Sequence, residues 1–168
     1  MKMIVYGRAT SSNVQLVMWT AGELGLTVDR RDCGHAFGGL NTPEFKAMNP
    51  HGKIPVVKDG DLILWESAAI MRYLAAQYGR DAGFWPDDPA ARARIDIWAE
   101  WGKNEVCQGF TAPIFWSRVR TPAANRDAAA LARAITTFDD YMIKLDAQLS
   151  DGRPFVCGDT LTPADITI

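Results

Sequence analysis

The opening of the chain carries the pattern that most restricts its fold. A short apolar run, Lys2–Tyr6, predicts a central strand, and Val14–Leu24 repeats apolar side chains at helical spacing. Gly25 predicts the end of this helix, and Thr27–Arg31 predicts a second strand. A strand, a helix and a second strand in this order predict a parallel strand pair joined by a right-handed crossover.

The next stretch predicts a hairpin and a third helix. Asp59-Gly60-Asp61 separates the apolar runs Ile54–Lys58 and Leu62–Leu64, and Asp-Gly in this setting is typical of a β-hairpin. A short helical piece near Pro43–Met48 precedes the hairpin, and Glu66–Tyr78 follows it with helical spacing. The predicted order β-α-β-α-β-β-α fills residues 1–78.

The composition changes after residue 78. Residues 79–89 contain glycine and proline among charged residues, which predicts a linker. Beyond it, Ala90 to about Ser117 and Pro122 to about Leu149 predict two long helices, the second with Thr121 as its N-cap. We therefore predict an α/β N-terminal domain at 1–78 followed by an all-α domain at 90–168.

The end of the sequence predicts one more helix. Thr162-Pro163-Ala164-Asp165 combines a capping residue, a proline at the first helical position and an acidic residue that can complete a capping box. The chain ends three residues later, and a helix begun there closes about one turn. We therefore expect a truncated chain whose helical domain is incomplete.

Composition argues against several classes of protein. The formal net charge is −2 and no Lys/Arg-rich run occurs, which argues against a nucleic-acid or anionic-membrane partner. No apolar stretch is long enough for a membrane span or a signal peptide, so we expect a cytoplasmic protein. Cys33, Cys107 and Cys157 are scattered with no CxxC pair, which argues against a disulfide framework and a metal site.

Four segments together resemble the cytosolic glutathione S-transferase superfamily. They are Thr10-Ser11-Ser12-Asn13, the run Asn-Pro-His-Gly-Lys-Ile-Pro-Val-Val at 49–57, Glu-Ser-Ala-Ala-Ile at 66–70, and Thr-Pro-Ala-Asp at 162–165. The chain is identified as a member similar to the serine-type bacterial and plant-like transferases. The resemblance implies a thioredoxin-like N-terminal domain, glutathione as co-substrate with no other cofactor, and a homodimer. It also implies that members continue beyond the last of these motifs.

The resemblance implies where the peptide part of glutathione binds. A cis bond between Ile54 and Pro55 would leave the Ile54 backbone to pair with an extended peptide, whereas a trans proline would merely begin an edge strand. Ser67 at a helix start would bind the γ-glutamyl carboxylate, and Glu66 would accept from the γ-glutamyl ammonium. The alternative for these two residues is an ordinary capping pair, with Ser67 as cap and Glu66 in solvent.

Two further residues are predicted at the glycine end of glutathione. Lys53 matches family positions that hold glutamine or lysine, and His51 lies two residues before it. The alternatives are a surface lysine and a solvated loop histidine.

The thiol end is predicted at the start of the first helix. A free thiol has a pKa near 8.5, and a hydroxyl that donates to sulfur favours the nucleophilic thiolate. Ser11 is the first candidate donor by the spacing of serine-type members; Ser12, Thr10 and Asn13 remain alternatives. The alternative is that one of these residues simply caps the first helix, and capping is compatible with thiolate stabilisation.

The leading functional prediction is transfer of glutathione to a small hydrophobic electrophile. Phe110 and Trp116 on the helical stripe of the second domain are predicted to line the electrophile pocket, with core packing as the alternative. A non-catalytic glutathione-binding or interaction module and a glutathione-dependent peroxidase or disulfide reductase are the competing functions. No cysteine lies between residues 8 and 14, which disfavours thiol exchange through a protein cysteine.

Overall fold

The computed structural model describes residues 2–80 and 83–168 and divides the chain into two compact units, Met1–Trp85 and Pro86–Ile168. The division falls within residues 79–89, the segment that the sequence predicts as a linker, and residues 81 and 82 of that segment lie outside the described residues. None of the helices in the described ranges is both long and apolar enough to cross a membrane.

The N-terminal unit is built on one mixed sheet of four strands. The strands are β1 (Met3–Tyr6), β2 (Val28–Arg31), β3 (Val56–Asp59) and β4 (Leu62–Trp65). They lie in the order β2-β1-β3-β4, with β1 parallel to β2 and antiparallel to β3, and β3 antiparallel to β4. The helices of this unit are α1 (Ser12–Glu23), α2 (Pro43–Met48) and α3 (Ser67–Tyr78). The predicted order β-α-β-α-β-β-α is confirmed.

Both faces of the sheet are covered, because successive side chains of a strand point to opposite sides. Val57 belongs to the main core, which is formed with side chains of β1, α1 and α3, and its neighbour Val56 packs with Phe45 of α2 and with Cys33. Val56 and Val57 are both fully buried. Cys33 is a buried member of this second core cluster, and its burial raises the pKa of its thiol.

The C-terminal unit begins with a long helical segment that changes its hydrogen-bond pattern along its length. It comprises α4 (Pro89–Trp101), a π-helical stretch (Gly102–Val106), α5 (Cys107–Phe110), a second π-helical stretch (Thr111–Trp116) and α6 (Ser117–Val119). Asp88 caps α4 by accepting a hydrogen bond from the Ala91 N–H at 2.9 Å. The sequence predicted this helix, and its periodicity does not reveal the π-helical stretches.

The prediction that the next helix begins at Pro122 is wrong. Pro122 has an extended backbone, Ala123–Asn125 forms a single 3₁₀ turn, and α7 runs from Ala128 to Leu149. The helix begins later because Asp127 is the actual N-cap and accepts from the Ala130 N–H at 2.9 Å. An aspartate cap outcompetes the Thr-Pro signal five residues earlier, since a carboxylate also interacts favourably with the helix dipole.

The last helix, α8 (Pro163–Thr167), packs against α4 and confirms the predicted helix start. The carboxylate of Asp165 accepts from the Thr162 N–H at 2.8 Å and from the Val156 N–H at 2.7 Å. Gly102 allows the close approach of α8, because a Cβ at this position would lie 2.7 Å from Ile168 Cγ1. Asp165 therefore ties the loop before α8 to its first turn.

The link between β1 and α1 passes Gly7, where the chain has no room for a side chain. Gly7 has φ +153°, and a Cβ there would overlap Val14 Cγ2 and lie 3.3 Å from Ile54 Cβ. Glycine is therefore required both by the backbone conformation and by the packing.

Replacing Gly7 by alanine is expected to lower the free energy of unfolding by roughly 2–4 kcal/mol, because the new methyl group overlaps the buried Val14. Gly22→Ala is the matched control: Gly22 lies in α1 with nothing within 4 Å of a Cβ, and alanine should stabilise this helix by about 1 kcal/mol. Denaturant unfolding of both variants measures the difference. Equal effects of the two substitutions would contradict the packing argument.

Candidate functional site

Three of the predicted segments meet in the N-terminal unit. The Ser67 hydroxyl donates to Asn13 Oδ1 at 3.1 Å, which joins the first turn of α3 to the first turn of α1. Ile54 lies beside Gly7, since a Cβ on Gly7 would lie only 3.3 Å from Ile54 Cβ. The β1–α1 loop, the loop before Pro55 and the start of α3 therefore surround one region, although they are far apart in sequence.

The loop before β3 is organised by Asn49, which the sequence analysis did not single out as a site residue. Its side chain is 2% exposed; Nδ2 donates to the Lys53 carbonyl at 2.9 Å, and Oδ1 accepts from the His51 N–H at 3.0 Å. The Gly52 N–H donates to the Asn49 carbonyl at 3.0 Å. An asparagine directly after a short helix and before proline is the signal that would have indicated this role.

The Ile54–Pro55 peptide bond is cis, which confirms the expectation drawn from the resemblance. Within the described part of the chain, neither the N–H nor the C=O of Ile54 is hydrogen-bonded outside the strand ladders, and Ile54 precedes β3. Its side chain packs between the two core clusters. The backbone of Ile54 is therefore held in place by its side chain rather than by its own polar groups.

The start of α3 differs from the alternative of an ordinary capping pair. Glu66, not Ser67, occupies the N-cap position; its φ is +70° and its side chain forms no capping hydrogen bond. Ser67 is the first helical residue, is 2% exposed and uses its hydroxyl on Asn13. Positive φ is uncommon for a glutamate and marks a position that the surrounding structure enforces.

The four thiol-end candidates differ in exposure and in partners. Ser11 is the N-cap of α1 and is 8% exposed, whereas Thr10 and Ser12 are exposed. The Ser11 side chain makes no capping hydrogen bond, and its hydroxyl has no partner among the described residues. Asn13 accepts from Ser67 through Oδ1. Ser11 therefore combines a sheltered position with an uncommitted hydroxyl.

The predicted glycine-end residues lie on the surface of the same unit. Lys53 and His51 are both exposed, and the His51 ring packs edge-to-face on Trp65 with ring centroids 5.1 Å apart.

An open cavity of about 460 Å³ is lined by residues 34–35 and 38–42. A Cβ on Gly34 would lie 3.4 Å from Ile54 Cδ1, so this loop borders Ile54.

The predicted pocket residues belong to the C-terminal unit. Phe110 is 42% exposed, and the centroid of its ring lies 6.3 Å from that of Phe115 and 5.4 Å from that of Phe138. Trp116 is 43% exposed, and the Arg120 guanidinium lies 4.9 Å from its ring centroid. Both rings thus have aromatic or cationic neighbours and are partly exposed, and their role in a pocket stays a prediction.

A four-stranded mixed sheet with a cis-proline loop and two adjoining helix starts defines a thioredoxin-like domain of the kind that binds glutathione. The family model for the N-terminal domain of glutathione S-transferase matches residues 1–76. Glutathione S-transferase GstB of Escherichia coli is 40% identical over 166 residues, which cover 98% of this chain and 78% of that protein. The chain belongs to the glutathione S-transferase family.

Solved structures agree with this assignment. The theta class glutathione S-transferase of Xanthomonas axonopodis pv. citri, with glutathione bound, has a TM-score of 0.88 and 41% identity over 98% of this chain and 78% of its own. The glutathione transferase BmGSTD1 of Bombyx mori has a TM-score of 0.86 and 33% identity over 99% of this chain and 74% of its own. The resemblance and the fold class predicted from the sequence are confirmed.

Asn49→Ala is expected to lower the free energy of unfolding by about 2 kcal/mol, because it leaves the Lys53 carbonyl and the His51 N–H without their buried partner. Denaturant unfolding measures this loss. Asn125→Ala is the control, since Asn125 is exposed and lies in a 3₁₀ turn of the other unit. A loss below about 0.5 kcal/mol for Asn49→Ala would show that Asn49 does not hold the loop.

Proposed function

We propose that this chain catalyses the attack of the glutathione thiolate on a small hydrophobic electrophile, with Ser11 as the hydroxyl that stabilises the thiolate. The observation that supports this role is Ser11 at the start of α1, a residue only 8% exposed whose hydroxyl has no partner among the described residues. A hydroxyl in this position is ready to donate to an anion. The N-terminus of α1 adds a favourable dipole for the same charge.

The reaction needs no covalent intermediate with the protein. The thiolate sulfur forms a bond to the electrophilic carbon, and that carbon's bond to its leaving group breaks, so the electron pair departs with the leaving group. The protein contributes a larger fraction of thiolate at neutral pH and the alignment of sulfur with carbon. Ser11 acts as a hydrogen-bond donor throughout and transfers no proton in the attack.

The peptide part of glutathione is proposed to bind along the cis-proline loop. The Ile54 N–H and C=O pair with the cysteinyl backbone as an added strand would, and Pro55 fixes the approach. The γ-glutamyl carboxylate lies at the start of α3 near Ser67, with Glu66 accepting from the γ-glutamyl ammonium. Lys53 and His51 reach the glycine carboxylate from the loop that Asn49 orders.

The remaining predictions extend this function. Ser12, Thr10 and Asn13 stay the alternative donors to sulfur, and Phe110 and Trp116 are proposed to contact the electrophile. We further propose detoxification as the role and the cytoplasm as the location. The three cysteines are free, which supports a reducing compartment.

The proposed activity is tested with glutathione and a chlorinated nitrobenzene. We expect a rate well above the uncatalysed reaction and ultraviolet absorption from bound thiolate at neutral pH. A protein that binds glutathione without accelerating the reaction would contradict the proposal and favour a binding module.

Ser11→Ala is expected to raise the apparent pKa of bound glutathione by about one unit and to lower kcat roughly 10- to 100-fold, because the thiolate loses its hydroxyl donor. A thiolate absorbance titration and steady-state kinetics measure the two effects. Ser12→Ala is the matched comparison, one residue along and exposed. If Ser12→Ala carries the loss and Ser11→Ala does not, the assignment of Ser11 is wrong.

A homodimer is also proposed, with the edge strand β4 in the interface. Leu62, Ile63 and Trp65 are 42%, 38% and 37% exposed, so β4 presents apolar side chains at the sheet edge. Such an edge is covered in most proteins, because unpaired apolar strands associate.

Ile63→Glu is expected to shift the sedimentation coefficient at micromolar concentration from dimer to monomer, because the interface would bury an unpaired charge. Trp19→Lys is the control, since it replaces an exposed apolar side chain on α1 rather than on the sheet edge. A monomeric parent chain, or a dimer that Ile63→Glu leaves intact, would contradict this interface.

A further inference from the structure

The β1–α1 loop, which carries Ser11, is held on one side by the end of β2. Arg30 Nη1 donates to the Gly7 carbonyl at 2.8 Å, and the Gly7 N–H donates to the Arg31 carbonyl at 2.8 Å. Both backbone polar groups of Gly7 are therefore bonded to consecutive residues of β2. One of these bonds continues the sheet, and the other depends on a side chain.

The Arg30 side chain is itself fixed by a neighbour. Asp32 accepts from Arg30 Nη1 at 2.5 Å and faces Nη2 at 3.4 Å, and the two side chains are 26% and 38% exposed. The hydrogen bond from Arg30 is the main cause of a lowered pKa of Asp32, and the Ala9 N–H acts in the same direction. The carboxylate thus stays charged at neutral pH and keeps the guanidinium on Gly7.

The loop is held on its other side by α1. Gln15 Nε2 donates to the Ala9 carbonyl at 3.1 Å. The Ser11 N–H then donates to the Arg8 carbonyl at 3.2 Å, closing a turn whose central residues are Ala9 and Thr10. The turn that ends at Ser11 begins at Arg8. The residue before Arg8, Gly7, is bonded by Arg30, and the residue after it, Ala9, is bonded by Gln15.

A second ion pair on the same strand provides an internal comparison. Arg31 donates to Asp29 through Nε at 3.2 Å and Nη2 at 3.0 Å, across the same two-residue spacing as Arg30 and Asp32. The further contacts of the Arg31 side chain are with the Tyr6 hydroxyl and ring, and only the Arg31 backbone carbonyl is bonded to the loop. Both pairs thus consist of an arginine and an aspartate at the end of the same strand. They differ because only the Arg30 side chain donates a hydrogen bond to the β1–α1 loop.

We propose that Arg30, oriented by Asp32, is a positioning residue that fixes the β1–α1 loop so that the Ser11 hydroxyl is directed at the glutathione sulfur. This inference rests on the proposed role of Ser11. Arg30 touches neither the thiol nor the electrophile in this scheme. Arg30 is proposed to set the fraction of protein molecules in which the Ser11 hydroxyl is correctly placed, and this fraction affects kcat. Arg30 does not alter the contacts with the peptide part of glutathione.

Arg30→Met is expected to lower kcat about 10-fold and to change KM for glutathione less than about 3-fold, because small misplacements of a catalytic group are costly. Arg31→Met, the matched control, should leave both constants within about 2-fold, since no loop contact is lost. Kinetics with glutathione and a chlorinated nitrobenzene measure both. Equal losses in the two variants, or a loss confined to KM, would overturn the inference.

Asp32→Ala separates positioning from a simple charge effect. Removing a negative charge near the site would by itself favour the thiolate, whereas removing Arg30 would disfavour it. Positioning predicts instead that Asp32→Ala also lowers kcat, and that the loss in Arg30→Met/Asp32→Ala is clearly smaller than the product of the two single losses, because Asp32 acts mainly through Arg30. A raised kcat in Asp32→Ala, or additive losses, would contradict positioning.

Gln15→Ala tests the opposite side of the loop without threatening the fold, since Gln15 is exposed and alanine is a good helix former. It is expected to lower kcat about 3-fold, because Ala9 loses one of its restraints. Ser11→Ala, measured in the same series, separates the two hypotheses. Full activity in Ser11→Ala overturns the proposed function; full activity in Arg30→Met and Gln15→Ala, with loss in Ser11→Ala, overturns positioning alone.

Discussion

The close passage of the chain at Gly7 is the constraint on which the N-terminal unit depends. At this point the end of β1 passes against Val14 of α1 and Ile54 of the cis-proline loop, with no space for a Cβ. The same residue is bonded through its backbone to the end of β2. Sheet, helix and loop therefore share a single contact point, which fixes the start of α1 and the cis-proline loop relative to each other.

Two helix starts meet next to this contact, and they have an electrostatic consequence. Ser67 in the first turn of α3 is bonded to Asn13 in the first turn of α1. The N-terminal ends of both helices, each carrying partial positive charge, are thus brought close together, which is unfavourable unless an anion lies nearby. A ligand that carries both a carboxylate and a thiolate satisfies this arrangement better than a neutral one.

The sequence predicted local features well and longer-range ones poorly. The order of strands and helices followed from periodicity and turn residues, and the family motifs indicated the cis proline. The start of α7 was missed because Asp127 offers a stronger cap than the Thr-Pro signal before it. Arg30 was not predicted either, because its contact with Gly7 depends on strand register, which places Tyr6 beside Arg31 only after folding. No local pattern distinguishes the Arg30–Asp32 pair from Arg31–Asp29.

The use of the N-cap positions gives an independent reason to place function at α1 and α3. Thr42, Asp88 and Asp127 each accept a backbone hydrogen bond at the start of their helices, at 3.2, 2.9 and 2.9 Å. Ser11 and Glu66, whose residue types are suited to a first turn, make no such side-chain bond. Giving up a cap costs about 1 kcal/mol. Ser11 and Glu66, at two adjoining helix starts, lack the cap bond that Thr42, Asp88 and Asp127 make, which supports the proposal that these groups are kept for a ligand.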